Sequence, residues 1–208
     1  MADRSFAAKH NGEQMIKQTM RNTSLAMFAI LSFALVAFAQ TSPKAVASIN
    51  IENFGQMDEH YYRGGQPNPD DIKPLAALGV KTIVDLRDDA VSWEKAAVEA
   101  AGMKYVNIPM SGYKAVKDAD MVKFLQVAND PDMGTIFVHC AGGIHRTGVV
   151  GAIYRFEKYG WSYDKAYEEM RNYKFTTGLV HGALKTYVEN YAKRLADEKA
   201  GGSKTAAK

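Results

Sequence analysis

Cys140 is the only cysteine among the 208 residues. It stands in the run His139-Cys140-Ala141-Gly142-Gly143-Ile144-His145-Arg146-Thr147-Gly148. A lone thiol has no partner for an internal disulfide and cannot build a multi-cysteine metal site. It can act as a nucleophile, because N–H dipoles, a helix start and a nearby cation all favour the thiolate. The run encodes all three. Gly142 and Gly143 permit backbone conformations that bring N–H groups close to a ligand. The segment after them reads as a helix N-terminus, where free N–H groups collect an anion. Arg146 supplies a planar fork for two phosphate oxygens. Together they suit gripping a phosphate dianion and attacking its phosphorus through a phospho-cysteine. Thr147 has a hydroxyl for the departing sulfur, and His139 is read as holding the loop backbone rather than carrying protons. A bare C-x5-R arises by chance, and free cysteine is often just a small buried residue. The longer H-C-x-x-G-x-x-R-T-G, set between a strand and a helix, raises this one above that alternative.

The elements that must position the run follow from its flanks. The β-branched, apolar stretch 135–138 reads as a buried strand, and Val149, Val150, Ile153, Tyr154 and Phe156 recur at helical spacing up to Tyr159. Further strands are expected over 59–63, 80–86 and 104–108. Helices are expected over 69–78 (Asn68 as cap, Pro74 delaying the start), 93–101 (Ser92 as cap), 118–129, 163–173 (Ser162 as cap) and 180–198, with Gly79, Gly102 and Gly160 as stops. Alternating strands and helices imply an α/β fold, a single domain with a mainly parallel central sheet covered by helices on both faces. The site then falls at the carboxyl end of a central strand.

The run resembles the signature loop of the cysteine-dependent protein tyrosine and dual-specificity phosphatases, in particular their small bacterial and atypical plant and fungal members. Tyr62-Arg63-Gly64-Gly65-Gln66-Pro67, Val80-Lys81-Thr82-Ile83-Val84-Asp85-Leu86-Arg87, Tyr105-Val106-Asn107-Ile108-Pro109 and Trp161-Ser162-Tyr163-Asp164-Lys165-Ala166 resemble further segments of that family. The likeness spans residues 59–191. It implies Cys140 as nucleophile, Arg146 as phosphate binder with Thr147 beside it, and Ala141, Gly142, Gly143, Ile144, His145 and Arg146 as the phosphate cradle. The family's general acid, an aspartate shortly after the strand ending at Pro109, has no counterpart, because no carboxylate occurs from Gly102 to Lys117. Asp118 is the first candidate and Asp120 the second, although both also suit a helix start. Without a good acid, aryl and anhydride leaving groups should be favoured over alkoxides. His145 matches atypical members, some of which act on inositol phosphates. Lys114 and Lys117 could add positive potential at the mouth, or be ordinary solvated charges. A phosphorylated protein or a small phosphorylated molecule is the expected substrate. A catalytically weak phosphate-binding module is the alternative from another class; a sulfurtransferase fits poorly with Arg146-Thr147-Gly148.

Residues 22–43 carry no charge, the stretch 25–39 is almost wholly apolar, and Lys17 and Arg21 precede it. Ala37-Phe38-Ala39 matches a small-x-small cleavage pattern, so 1–39 reads as a signal peptide. The apolar core is short for a spanning helix, which makes an uncleaved N-terminal anchor the lesser reading. A secreted or periplasmic catalytic domain is expected in either case, and membrane association only if the leader stays. A linker over 40–58, a catalytic domain over 59–199 and a disordered tail over 200–208 complete the organisation. The leader holds four of the 26 Lys/Arg and two of the 23 Asp/Glu, which leaves a net charge of +1. That gives no reason to expect nucleic-acid binding. No histidine pair has ligand spacing, so no metal is expected, and the chemistry requires no cofactor.

Overall fold

The computed structural model describes residues 49–205. Five strands make one sheet: β1 (Gly55–Asp58), β2 (Tyr61–Gly64), β3 (Thr82–Arg87), β4 (Lys104–Met110) and β5 (Ile136–His139), in the spatial order β1-β2-β5-β3-β4. Only β1 and β2 pair antiparallel; β2–β5, β5–β3 and β3–β4 are parallel. The sheet is therefore mainly parallel, as expected, and β5 is its centre. Side chains alternate across it. Ile83 and Phe137 pack on one face, while their neighbours Val84 and Val138 pack on the other. This is the period-two pattern of strands buried on both sides.

One face is covered by α1 (Ile72–Ala77) and α2 (Glu94–Ala100), whose Ile72, Leu75 and Val98 join Ile83 and Phe137. The other carries α3 (Asp118–Asn129), α4 (His145–Tyr159), α5 (Tyr163–Asn172) and α6 (Gly182–Thr205). Phe124, Val149, Ile153, Met170 and Leu184 meet Val84 and Val138 there. Helix α4 is buried continuously from Arg146 to Phe156. A helix enclosed on all sides is fixed by packing rather than by its own propensity, so its first turn is a rigid platform for the signature loop.

Several elements differ from expectation. The strand expected over 59–63 is the hairpin β1–β2, so residues 49–58 of the expected linker are folded: Ile51 is buried, and Asn50 N donates to Asp71 Oδ1 at 2.9 Å. The helix expected from Pro69 begins as a 3-10 turn over Pro69–Asp71, with Asp71 accepting from Asn68 N, and becomes α-helical only at Ile72. Ser92 does not cap α2, which starts at Glu94 with that carboxylate turned inward and fully buried. Helix α6 runs to Thr205 instead of ending near Glu198. The expected signal peptide over 1–39, residues 40–48 and the final residues 206–208 lie outside the described residues. Among the described residues no helix is long and apolar enough to cross a membrane.

Candidate active site

Strand β5 ends at His139, and the chain then turns through Cys140 to Ile144 into α4. Three loop carbonyls are tied backwards. Gln66 N donates to Ala141 O at 2.9 Å, Asn53 Nδ2 to Gly142 O at 3.2 Å, and Arg63 Nη2 to Gly143 O at 2.6 Å. Because the peptide unit is planar and trans, each N–H points opposite the preceding carbonyl. The N–H groups of Gly142 and Ile144, both residues of the lining, therefore face the other way, toward a cavity of about 280 Å³. Cys140, Ala141, Gly142, Ile144, His145 and Arg146 line that cavity. The geometry is that of an anion cradle.

Gly143 is set apart from the other cradle residues. It does not line the cavity, and its φ is +65°. A Cβ there would lie 2.4 Å from Gly64 C and 2.5 Å from Gly65 N. The loop thus sits directly on the end of β2, and glycine is what permits it. Arg63, 1% exposed, clamps the loop from behind, with its guanidinium 3.9 Å above the Tyr173 ring. Burial pulls the Arg63 pKa below its ordinary value, an effect opposed by Tyr61, Tyr173 and Cys140.

Arg146 Nη1 donates to Met110 O at 3.1 Å and to Asp88 Oδ1 at 3.0 Å. Thr147 is fully buried, and its Oγ1 has no hydrogen-bond partner among the described residues, which leaves that hydroxyl free for another acceptor. His139 is enclosed behind the loop. Its Nδ1 faces Cys140 O at 3.4 Å and Asp85 Oδ1 at 3.9 Å, while its Nε2 faces Glu94 Oε1 at 3.1 Å. Tyr105 Oη donates to Asp85 Oδ2 and Gln66 Nε2 to Glu94 Oε2. The cluster Asp85, Glu94 and His139 has the residue types of a metal site. One ligand atom from each lies within 4.8 Å of the others, while Asp85 Oδ1 and Oδ2 accept from Arg87 N and Tyr105 Oη and Glu94 Oε2 accepts from Gln66. The buried imidazole meets the backbone of the nucleophile through its Nδ1, at Cys140 O.

The rim is aromatic. His145 stacks on His181 with ring centroids 3.4 Å apart, and Tyr113 stacks on the far side of His181 at 5.6 Å. His181 Nδ1 meets Gly112 O at 2.8 Å, and His145 Nε2 meets Thr176 O at 3.0 Å. Burial foremost, then His181, holds the His145 pKa below the usual imidazole value, against the pull of Thr176 O and with a smaller contribution from Arg146.

Asp118, expected as general acid, is not among the residues lining the Cys140 cavity. Asp118 Oδ1 accepts from Tyr187 Oη at 2.7 Å and from Arg194 Nη2 at 3.2 Å, which ties it to α6 and away from the cavity lining. Asp120, Lys114 and Lys117 line a neighbouring cavity instead. The carboxylates that do line the Cys140 cavity are Asp88 and Asp89, and Asp88 also borders the neighbouring one. Sequence reasoning passed over Asp88, Asp89, Glu94, His181 and Asn53. For the aspartates a signal existed: they directly follow a strand whose carboxyl end was expected at the site. The other three had none.

Residues 28–187 match the family described as "DSP-PTPase phosphatase fused to NAD+ Kinase". The dual specificity protein phosphatase TpbA of Pseudomonas aeruginosa is 31% identical over 121 residues, covering 57% of this chain and 53% of TpbA. The chain thus spans about half the length of the curated relatives it matches. The crystal structure of TpbA in complex with pTyr superimposes with a TM-score of 0.56 at 26% identity, covering 69% of this chain and 90% of that one. The inositol diphosphatase SIW14 of Saccharomyces cerevisiae is 26% identical over 156 residues, covering 71% of this chain and 55% of SIW14. With the match extending over most of its length and the signature loop in place at the end of β5, the chain belongs to the dual-specificity and tyrosine phosphatase (DSP-PTPase) family.

Proposed function

We propose that this protein hydrolyses phosphate monoesters through a phospho-cysteine, with phosphotyrosine and other protein phosphates as first candidates for substrate. The observation that carries the reading is the convergence of Cys140, Arg146 and the backbone of Gly142 and Ile144 on one cavity. A phosphoryl group in the cradle is held by the N–H groups of Gly142 and Ile144 and by the Arg146 fork. The Cys140 thiolate attacks phosphorus in line with the leaving oxygen, and the Thr147 hydroxyl can donate to the sulfur when water displaces it. Such donors act most strongly on charge developing in the transition state. The aromatic rim at the mouth, with Tyr113 exposed at the end of its stack, suits an aryl ring. The likeness to TpbA supports the same substrate class.

A second reading is a small-molecule phosphatase acting on inositol phosphates or phosphoanhydrides. The likeness to SIW14 favours it, as do two imidazoles on the rim that could meet a further phosphate. The apolar leader further suggests that the domain works outside the cytoplasm, as a secreted or periplasmic enzyme; fractionation of tagged full-length chain would test this. For the activity, initial rates on 4-nitrophenyl phosphate, a phosphotyrosine peptide and an inositol polyphosphate are compared between wild type and Cys140→Ser. Turnover abolished by Cys140→Ser, with phosphate trapped on the wild-type cysteine by rapid acid quench, is the expected result. Phosphate ligands bound without turnover would identify a binding module instead.

A further inference from the structure

We propose that Asp88 is the general acid of this site, taking the part for which the segment after β4 has no carboxylate; the assignment rests on the phosphatase reading above. Strands β3 and β5 pair in parallel with Asp85 opposite His139. The chain leaving β3 at Arg87 and Asp88 therefore runs beside the chain leaving β5 into Cys140. Asp88 Oδ1 lies 3.0 Å from Arg146 Nη1, in the wall of the cavity that Cys140 lines, and half of its side chain is open.

The other acidic groups are committed elsewhere. Arg87 grips Asp89 through Nε at 3.1 Å and Nη2 at 3.1 Å, and this contact holds the Asp89 carboxyl below the usual carboxylate range. Asp118 is bound to Tyr187 and Arg194, and Asp120 faces the neighbouring cavity. Asp85 and Glu94 are fully buried behind the loop.

Substrate binding changes the surroundings of Asp88. When the guanidinium forks onto phosphate oxygens, Asp88 shares its cation with a dianion. In the assigned role Asp88 carries its proton into the bound complex, in the wall of the cavity where the bond breaks. In the first step the Cys140 sulfur forms a bond to phosphorus and the phosphorus–oxygen bond breaks. Its electron pair stays on the leaving oxygen, which takes the Asp88 proton. In the second step the Asp88 carboxylate takes a proton from water as the water oxygen attacks phosphorus. The phosphorus–sulfur bond then breaks, releasing the thiolate and restoring the acid.

The test is kcat/KM on phosphate esters of graded leaving-group pKa, from 4-nitrophenyl to alkyl, for wild type, Asp88→Asn, Asp88→Glu and the controls Asp118→Asn and Asp120→Asn. General acid catalysis contributes about 10²–10⁴-fold. Asp88→Asn should therefore lose roughly that factor on alkyl esters, lose only a few-fold on 4-nitrophenyl phosphate, and lose the basic limb of the pH profile. Asp88→Glu should recover part of the alkyl activity, and the controls should stay near wild type. An Asp88→Asn loss equal across the series, with its pH profile unchanged, would mean that Asp88 only positions Arg146, and the assignment falls. A large selective loss in a control would move the acid there. Failure of wild type on every ester would remove the phosphatase reading itself, a result distinct from either.

Discussion

Gly142 and Gly143 are adjacent, identical in the sequence, and predicted to respond oppositely to alanine. At Gly142 an added Cβ meets only the Ile144 side chain, at 3.6 and 3.8 Å, which is ordinary contact. At Gly143 it would stand 2.4 Å from Gly64 C and 2.6 Å from Gly64 O, with φ at +65°. A left-handed conformation for a non-glycine residue costs about 1–3 kcal/mol. The overlap is with backbone on the end of β2, which cannot rotate away as a side chain would, so the loop must shift as well. Together, Gly143→Ala should cost at least about 3 kcal/mol, a large share of the roughly 5–15 kcal/mol of a typical domain. Gly142→Ala should stay within about 1 kcal/mol of wild type, helped by a less flexible unfolded chain. Urea unfolding followed by the fluorescence of Trp93 and Trp161 measures both. Rates on an aryl phosphate should fall about 10²-fold or more in Gly143→Ala, because a displacement near 1 Å of the reacting groups has that effect. Gly143→Ala within about 1 kcal/mol and three-fold of wild type would refute the claim that the cradle rests directly on β2.

Removal of the Arg63 clamp by Arg63→Met should destabilise the fold by about 2–4 kcal/mol and reduce turnover, since Gly143 O loses its charged donor and Tyr173 its cation; denaturant melts and rates are the checks. A second prediction concerns acidity. The pKa of His145 in the folded protein lies below its unfolded value of about 6.5. The unfolded state then binds more protons, so this contribution is fully present above about pH 6.5 and is lost as pH falls through the lowered folded value. Thermal melts between pH 5 and pH 8 should show a steeper acid-side fall for wild type than for His145→Gln, and parallel curves would refute it.

The α/β fold was legible because its signals are local. The strand-forming runs 82–86 and 136–139, buried throughout, the glycine stop at Gly160 and the Ser162 cap each act over a few residues. The misread pieces were those decided from afar. Residues 49–58 have a polar, linker-like composition, yet they fold because Asn53 reaches Gly142 O and Ile51 fits against the α1 face of the sheet. Ser92 lost its expected role because Glu94, two residues on, turns inward to accept from Gln66 and face His139.

The sequence by itself determined that a nucleophilic sulfur, an arginine fork and a glycine turn stand together, since ten consecutive residues carry them. It also determined that the place shortly after β4, where this family usually keeps its acid, holds no carboxylate. Only the tertiary structure decided what surrounds them. Parallel pairing of β3 with β5 brings Asp88 to Arg146, 58 positions apart. The packing of α6 ties Asp118 to Tyr187 and Arg194, and the turn before it stacks His181 on His145. A sheet joins segments by register, and register is set by the whole core rather than by any stretch of chain. Contacts of that kind leave no local trace, which is why the nucleophile could be read directly and its neighbours could not.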